Sequence, residues 1–388
     1  MIRILALGLA SVAALFGLRH VLERVASTGD LEARRAALSA VEPLAPPLAP
    51  PTRGLAVYHL GHSLVGRDMP AMVEQLAAAL GHTDHVHASQ LGWGTTLRAH
   101  LGPPSGINGF DAENAHANFR PARATLAAGA FEARATPNRA TPNRATEHSA
   151  SPQRAADAAP DPARPEPAAP AVSATTSEPA PRAHADAPTE LRPLDAFVLT
   201  EMVELRDAIR YHDAPAAFLS WVELARAARP DLPVYLYESW HRLDDPDGFL
   251  ARLDSDPDLL WRQLIAPAWS AGHPVHVIPV GRAMASLART LATLPPAELP
   301  PDLTSHTSLF ATNPDGTQDP IHLNDQGHYF VALVHLAVLY HTPTTGLPHT
   351  LRRAGGTPAT APTPAAATLM QRIVDDLVWS IPETGLVR

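Results

Sequence analysis

Two short stretches hold residues that together can carry out nucleophilic chemistry. In the first, Gly61-His62-Ser63-Leu64 (GHSL), a serine arrives at a tight turn directly after an apolar run. The second, Gln318-Asp319-Pro320-Ile321-His322-Leu323-Asn324, sets an aspartate three residues before a histidine. A serine hydroxyl is inert at its ordinary pKa and needs an oriented base within about 3 Å. A turn between Asp319 and His322 lets the carboxylate hold the imidazole Nδ1–H while Nε2 faces outward, free to take a proton from a serine. The plainer readings are that Ser63 caps the helix starting at Asp68, and that His322 is one more loop histidine among 20.

The elements that must position these residues follow an alternating pattern. Apolar runs at 55–60 (LAVYHL), 85–91 (HVHASQL), 194–200 (LDAFVLT), 234–238 (VYLYE) and 275–280 (VHVIPV) read as strands. Helical stretches are expected from Asp68 to Leu80, near 213–228, 257–270 and 281–294, from Tyr329 to Tyr340, and near 368–380. Such alternation implies a parallel sheet with helices on both faces, with the ligand at the carboxyl ends of the strands. Ser63, Gly92, Gly94, Glu201 and Glu238 all fall just past strand ends, so one edge of the sheet would collect them.

GHSL after the first strand, with DPIHLN before the last long helix, resembles the SGNH/GDSL hydrolase superfamily. The likeness covers roughly residues 54–120 and 191–340 and consists of short motifs whose order and strand context match. It implies an α/β fold: a three-layer α/β/α sandwich on a mostly parallel five-stranded sheet of flavodoxin-like order. By the same resemblance Ser63 is the nucleophile, His322 the general base and Asp319 its orienting partner. The oxyanion hole would take the N–H groups of Ser63 and Gly94. His62 stands where the family has the Asp of its GDS turn. Where the family supplies an Asn side chain as a further donor, this chain reads VLTEMVEL, and Glu201 occupies the place. An ionised glutamate only accepts hydrogen bonds, so Glu201 could serve there only as the neutral acid. Glu238 and Trp240, past another strand end, are candidates for substrate binding, against the plainer reading of a packed Trp240 beside a solvent-facing His241. The resemblance implies a serine esterase that takes a small-molecule or glycan ester, and neither an organic cofactor nor a metal.

Composition narrows the remaining classes. A net charge of −9 argues against a broad nucleic-acid surface, which needs clustered Lys and Arg. Zero cysteines exclude a disulfide framework, a thiolate nucleophile and a Cys-based zinc site. His82, His85 and His87 have nearly metal-like spacing, but a surface cluster is the expectation because Asp84 is the only carboxylate beside them. Ile4 to Leu18 is uncharged for 15 residues between Arg3 and Arg19, which suits a signal peptide or membrane anchor over 1–26 and an extracytoplasmic, cell-envelope location. Residues 27–53, ending in EPLAPPLAPPTR, would form a helical and proline-rich stalk. Over 121–190, half of the 70 residues are Ala or Pro and RATPN repeats, so the segment is expected to be a disordered insertion between the two parts of the hydrolase-like domain, 54–120 and 191–388.

Overall fold

The computed structural model describes residues 31–134 and 189–387. The hydrophobic 1–26 segment and most of the Ala/Pro-rich region, 135–188, lie outside the described residues. Five strands, β1 (Ala56–His62), β2 (Val86–Gly92), β5 (Ala196–Leu199), β6 (Val234–Tyr237) and β7 (His276–Ile278), form one sheet in the order β2-β1-β5-β6-β7. All neighbours in it are parallel, an arrangement that goes with a sheet covered on both faces. Two antiparallel ribbons stand outside it: β3 (Ala130–Arg134) with β4 (Thr189–Pro193), and β8 (Phe310–Thr312) with β9 (Gln318–Leu323).

Alternation along β1 divides the core. Val57 faces one layer, with α2 (Asp68–Ala79), α5 (Val280–Thr293), α6 (Asp325–Tyr340) and α7 (Pro364–Val378). Ala56, Tyr58 and Leu60 face the other, with α3 (Ala214–Ala228) and α4 (Arg262–Ser270). The helix expected near 257–270 is regular only from Arg262, because Pro257–Trp261 is a π-helical turn continuing from Phe249–Asp256. Helix α6 is buried along nearly its whole length, since α2 and α7 cover the side that the sheet does not. This is the doubly wound order of a flavodoxin-like sandwich, whose chain reverses direction between β1 and β5.

Two expected boundaries change. The ends of the 121–190 segment are folded: Ala122–Ala128 is helical, and Leu126 and Phe131 are buried in the second core layer. Few apolar residues suffice there because the core already exists and each needs only to fill a place on it, worth about 1.5–3 kcal/mol for a fully buried side chain. The 42–53 segment is extended, as its prolines dictate, but it lies against the domain and is not a projecting stalk. Leu44 C=O accepts from Val275 N–H (3.0 Å), Pro46 C=O from His276 Nε2 (2.8 Å), and Arg53 pairs with Asp195. Before it, α1 (Leu31–Ser39) buries Leu38, whose carbonyl takes a hydrogen bond from Arg262. No helix among the described residues is long and apolar enough to cross a membrane.

Candidate active site

β1 carries its last buried residues to Gly61 and His62, and the chain then turns at Ser63 before α2 begins at Asp68. Two buried histidines fix this turn. His62 Nε2 lies 2.8 Å from the Glu201 carbonyl and His100 Nε2 lies 2.8 Å from the Gly61 carbonyl. Carbonyl oxygens only accept, so both rings carry their proton on Nε2. His100 Nδ1 is then free to accept from Gln90 Nε2 at 3.0 Å. Burial pushes both histidines down to about 4, so they remain neutral braces at neutral pH. His62 thus ties the end of β1 to the end of β5, at the reversal in strand order.

Asp319 and His322 arrive from a different construction. They lie on β9, a strand where a loop was expected, in the short ribbon preceding α6. Asp319 Oδ1 accepts from the N–H groups of both Ile321 and His322 at 2.8 Å, and Oδ2 lies 3.0 Å from His322 Nδ1. Partial burial acts to raise the Asp319 carboxyl, but these donors outweigh it and hold it below the usual carboxylate range. The carboxylate places the imidazole proton on Nδ1, and Nε2 lies 3.1 Å from Ser63 Oγ. Ser63, His322 and Asp319 are therefore brought together in hydrogen-bonding sequence.

An open cleft of about 990 Å³ lies over them, and Ser63, Gly94 and His322 line it. Gly94 has φ +51°, a left-handed conformation that disfavours other residues, and no atom lies within 4 Å of where a Cβ would stand. Its N–H has no acceptor among the described residues.

Three expected roles change on inspection of the side chains. Glu201 is fully buried and outside the cleft lining; its carboxyl accepts from Leu97 N–H (3.1 Å) and Met202 N–H (2.9 Å). It braces the start of the Leu97–His100 helix and is not an oxyanion donor in this arrangement. Burial raises its pKa to about 7, against the pull of those two N–H groups. Glu238 is buried against Arg282, with its Oε2 3.0 Å from Arg282 Nε, and does not reach the cleft. Trp240 is 1% exposed, and its Nε1–H donates to the Ile321 carbonyl at 2.8 Å. With the Leu243 N–H on the Pro320 carbonyl (2.8 Å), Trp240 holds the strand bearing Asp319 and His322 and is not a substrate contact. Position past a strand end located these residues correctly, but it does not say which way a side chain turns.

His85 and His87 are buried, not at the surface: His85 Nδ1 meets the Tyr340 hydroxyl at 2.6 Å and His87 pairs with Glu74. Among the described residues no group of three or more His, Asp or Glu side chains is disposed to hold a metal ion. Sequence reasoning missed most of the cleft wall, including Arg67, Trp93, Glu113, Arg242, His328 and Arg353. Arg353 comes from the 342–363 stretch, whose Gly, Pro and Thr content reads as an ordinary connection; nothing in its pattern announces a cleft. Trp93 had a signal, an aromatic beside Gly94 in the glycine turn that follows β2.

Against protein-family models, curated proteins and solved structures alike, the chain finds no match.

Proposed function

We propose that this chain is a serine ester hydrolase of the SGNH/GDSL type, acting on small acyl esters such as O-acetyl groups on a carbohydrate. The observation that carries the reading is the continuous hydrogen-bonded series Ser63 Oγ, His322 Nε2, His322 Nδ1, Asp319 Oδ2 at 3.1 and 3.0 Å, with Ser63 and His322 lining a cleft. In this reading Ser63 Oγ attacks the ester carbonyl carbon while His322 Nε2 takes the hydroxyl proton. Asp319 stabilises the imidazolium that forms. The carbonyl oxygen, now negative, is held by backbone N–H groups, with Gly94 supplying one of them. His322 then gives its proton to the departing alcohol. Water, deprotonated by the same nitrogen, releases the acyl group as a carboxylic acid.

A second reading keeps the fold without turnover, as a binding module for a glycan or protein partner in the cell envelope. Its support is the orientation of Glu201, which leaves the hole without the side-chain donor of the family pattern. Incubation with a fluorophosphonate probe and 4-nitrophenyl acetate separates the two. Labelling at Ser63 with release of 4-nitrophenol supports the hydrolase, and an unlabelled protein without turnover supports the module. An extracytoplasmic location, proposed from the uncharged 4–18 run, is tested by fractionating cells that express the full chain.

A further inference from the structure

Three arginines, Arg67, Arg242 and Arg353, line the cleft with two carboxylates, Asp68 and Glu113, and the arginines are not alike. Both carboxylates are engaged with the fold: Asp68 Oδ1 accepts from Ala354 N–H at 2.8 Å and Glu113 Oε1 from Trp93 Nε1 at 2.6 Å. Two of the arginines are also committed. Arg353 makes paired bonds to Asp325 (2.8 and 2.7 Å), and Arg242 makes paired bonds to Asp244 (both 2.8 Å). Arg67 differs. It is exposed, it stands four residues past Ser63, and its guanidinium has neither a hydrogen bond nor an ion pair among the described residues. Burial and the nearby Arg67 charge hold His116 down to about 4, so at neutral pH this neighbour stays neutral. The cleft therefore presents a guanidinium with all five donors available beside the nucleophile.

The same cleft carries a rigid apolar surface. Trp93 is 49% exposed, yet its indole is fixed by the bond to Glu113 and by the backbone of Gly109, where a Cβ would stand 2.2 Å from the ring. An aromatic face held in this way takes a flat or ring-shaped group with little further loss of freedom.

We propose that the cleft selects esters that carry a negative charge, with Arg67 as the residue that reads the charge and Trp93 as the platform for the rest of the molecule. The inference rests on the hydrolase reading for its kinetic consequence, but not for binding. The anion can belong to the acyl side or to the alcohol side of the ester, and the chemistry recognised is the same: a carboxylate or other anion accepting from guanidinium N–H groups.

Two measurements test it. In the first, kcat/KM is compared for 4-nitrophenyl acetate, 4-nitrophenyl hemisuccinate (anion on the acyl side) and 3-acetoxybenzoate (anion on the alcohol side). Arg67→Gln is expected to lower the ratio of anionic to neutral kcat/KM about 10-fold for the side that Arg67 reads, as loss of one charge-assisted bond predicts, and Arg67→Lys to recover part of it. Ratios unchanged for both anionic esters overturn the proposal. The second measurement needs no turnover: Ser63→Ala is titrated with 3-acetoxybenzoate, monomethyl succinate and their neutral amides, followed by tryptophan fluorescence. At least one acid should bind more tightly than its amide, and that preference should shrink between about 20 and about 200 mM NaCl and vanish with Arg67→Gln. Equal binding of acids and amides contradicts the proposal even if the enzyme is active. Conversely, a preference for an acid without ester turnover refutes only the hydrolase reading.

Discussion

The two halves of the Ser63–His322 pair are held by opposite means. Ser63 sits at the end of a strand buried over its whole length, at a turn braced from within by His62 and His100, whose rings bond the carbonyls of Glu201 and Gly61. His322 lies on a two-stranded ribbon with its side chain 49% exposed, and, besides its pairing with β8 and the buried Leu323, its strand takes one bond from Trp240 and one from Leu243. Ser63 is set by the core, and His322 by a ribbon strand with a few fixed contacts. A buried turn has little freedom to lose, whereas an exposed strand depends on each hydrogen bond that anchors it. Changes near Ser63 should therefore appear mainly in stability, and changes near His322 mainly in turnover.

The largest effect expected is at the dyad itself. Ser63→Ala should lower ester hydrolysis on the order of 10⁴–10⁶-fold, measured as initial rate, with the thermal midpoint unchanged, since among the described residues Ser63 Oγ bonds only His322. Asp319→Asn comes next. It keeps the shape of the β9 turn but no longer fixes the imidazole proton on Nδ1, and kcat should fall on the order of 10³–10⁴-fold. A fall under about 10-fold would mean that the Asp319 contact does not orient the base.

Smaller effects sharpen the contrast. Trp240→Phe keeps the buried ring and removes the N–H that holds Ile321; kcat should fall about 10-fold with little change in the urea midpoint, because the strand that loosens carries His322. On the other side, His100→Ala leaves the Gly61 carbonyl without its donor in a buried place, which should cost about 1–3 kcal/mol of unfolding free energy. If instead Trp240→Phe alters stability alone and His100→Ala alters kcat alone, the division between core-set nucleophile and surface-set base is wrong.

Acid should expose the same division. Burial pushes His62, His100 and His335 down to about 4 and His85 to about 3. Each stays neutral when folded but takes up a proton near pH 6.5 when unfolded. Their support for the fold is therefore complete above about pH 6.5 and is lost as pH falls toward 4. Glu201, raised to about 7, and Glu238, also raised by burial, act in the opposite sense, two carboxyls against a larger set of histidines held down by burial. The urea midpoint should be lower at pH 5 than at pH 7.5; an unchanged midpoint would mean that these rings are not buried and neutral.

All five strands of the main sheet were legible in the sequence to within two residues at every end, most of them because strands buried on both faces read as apolar runs, although β2 (VHASQLG) also carries the polar His87, Ser89 and Gln90. Ser63, Asp319 and His322 were legible as well, since short motifs at a strand end and before a helix carry their own geometry. What the sequence hid was orientation and distance. Glu201, Glu238 and Trp240 all follow strand ends, and each turns inward to a partner far along the chain: Leu97, Arg282 and Ile321. Arg353 reaches the cleft only because its stretch packs beside α6, where Asp325 fixes it. Leu126 and Phe131 sit in a composition that reads as unfolded, yet a neighbouring core takes them in.

The central claim is that Ser63 is a nucleophile activated by His322. Its most direct test is to incubate the protein with a fluorophosphonate, digest it, and map the adduct by mass spectrometry, beside Ser63→Ala and His322→Ala. The geometry predicts one stoichiometric adduct on Ser63 in the parent, none in Ser63→Ala, and labelling slowed on the order of 10³-fold or more in His322→Ala. Labelling of another serine, or labelling of Ser63 at the same rate without His322, would contradict it.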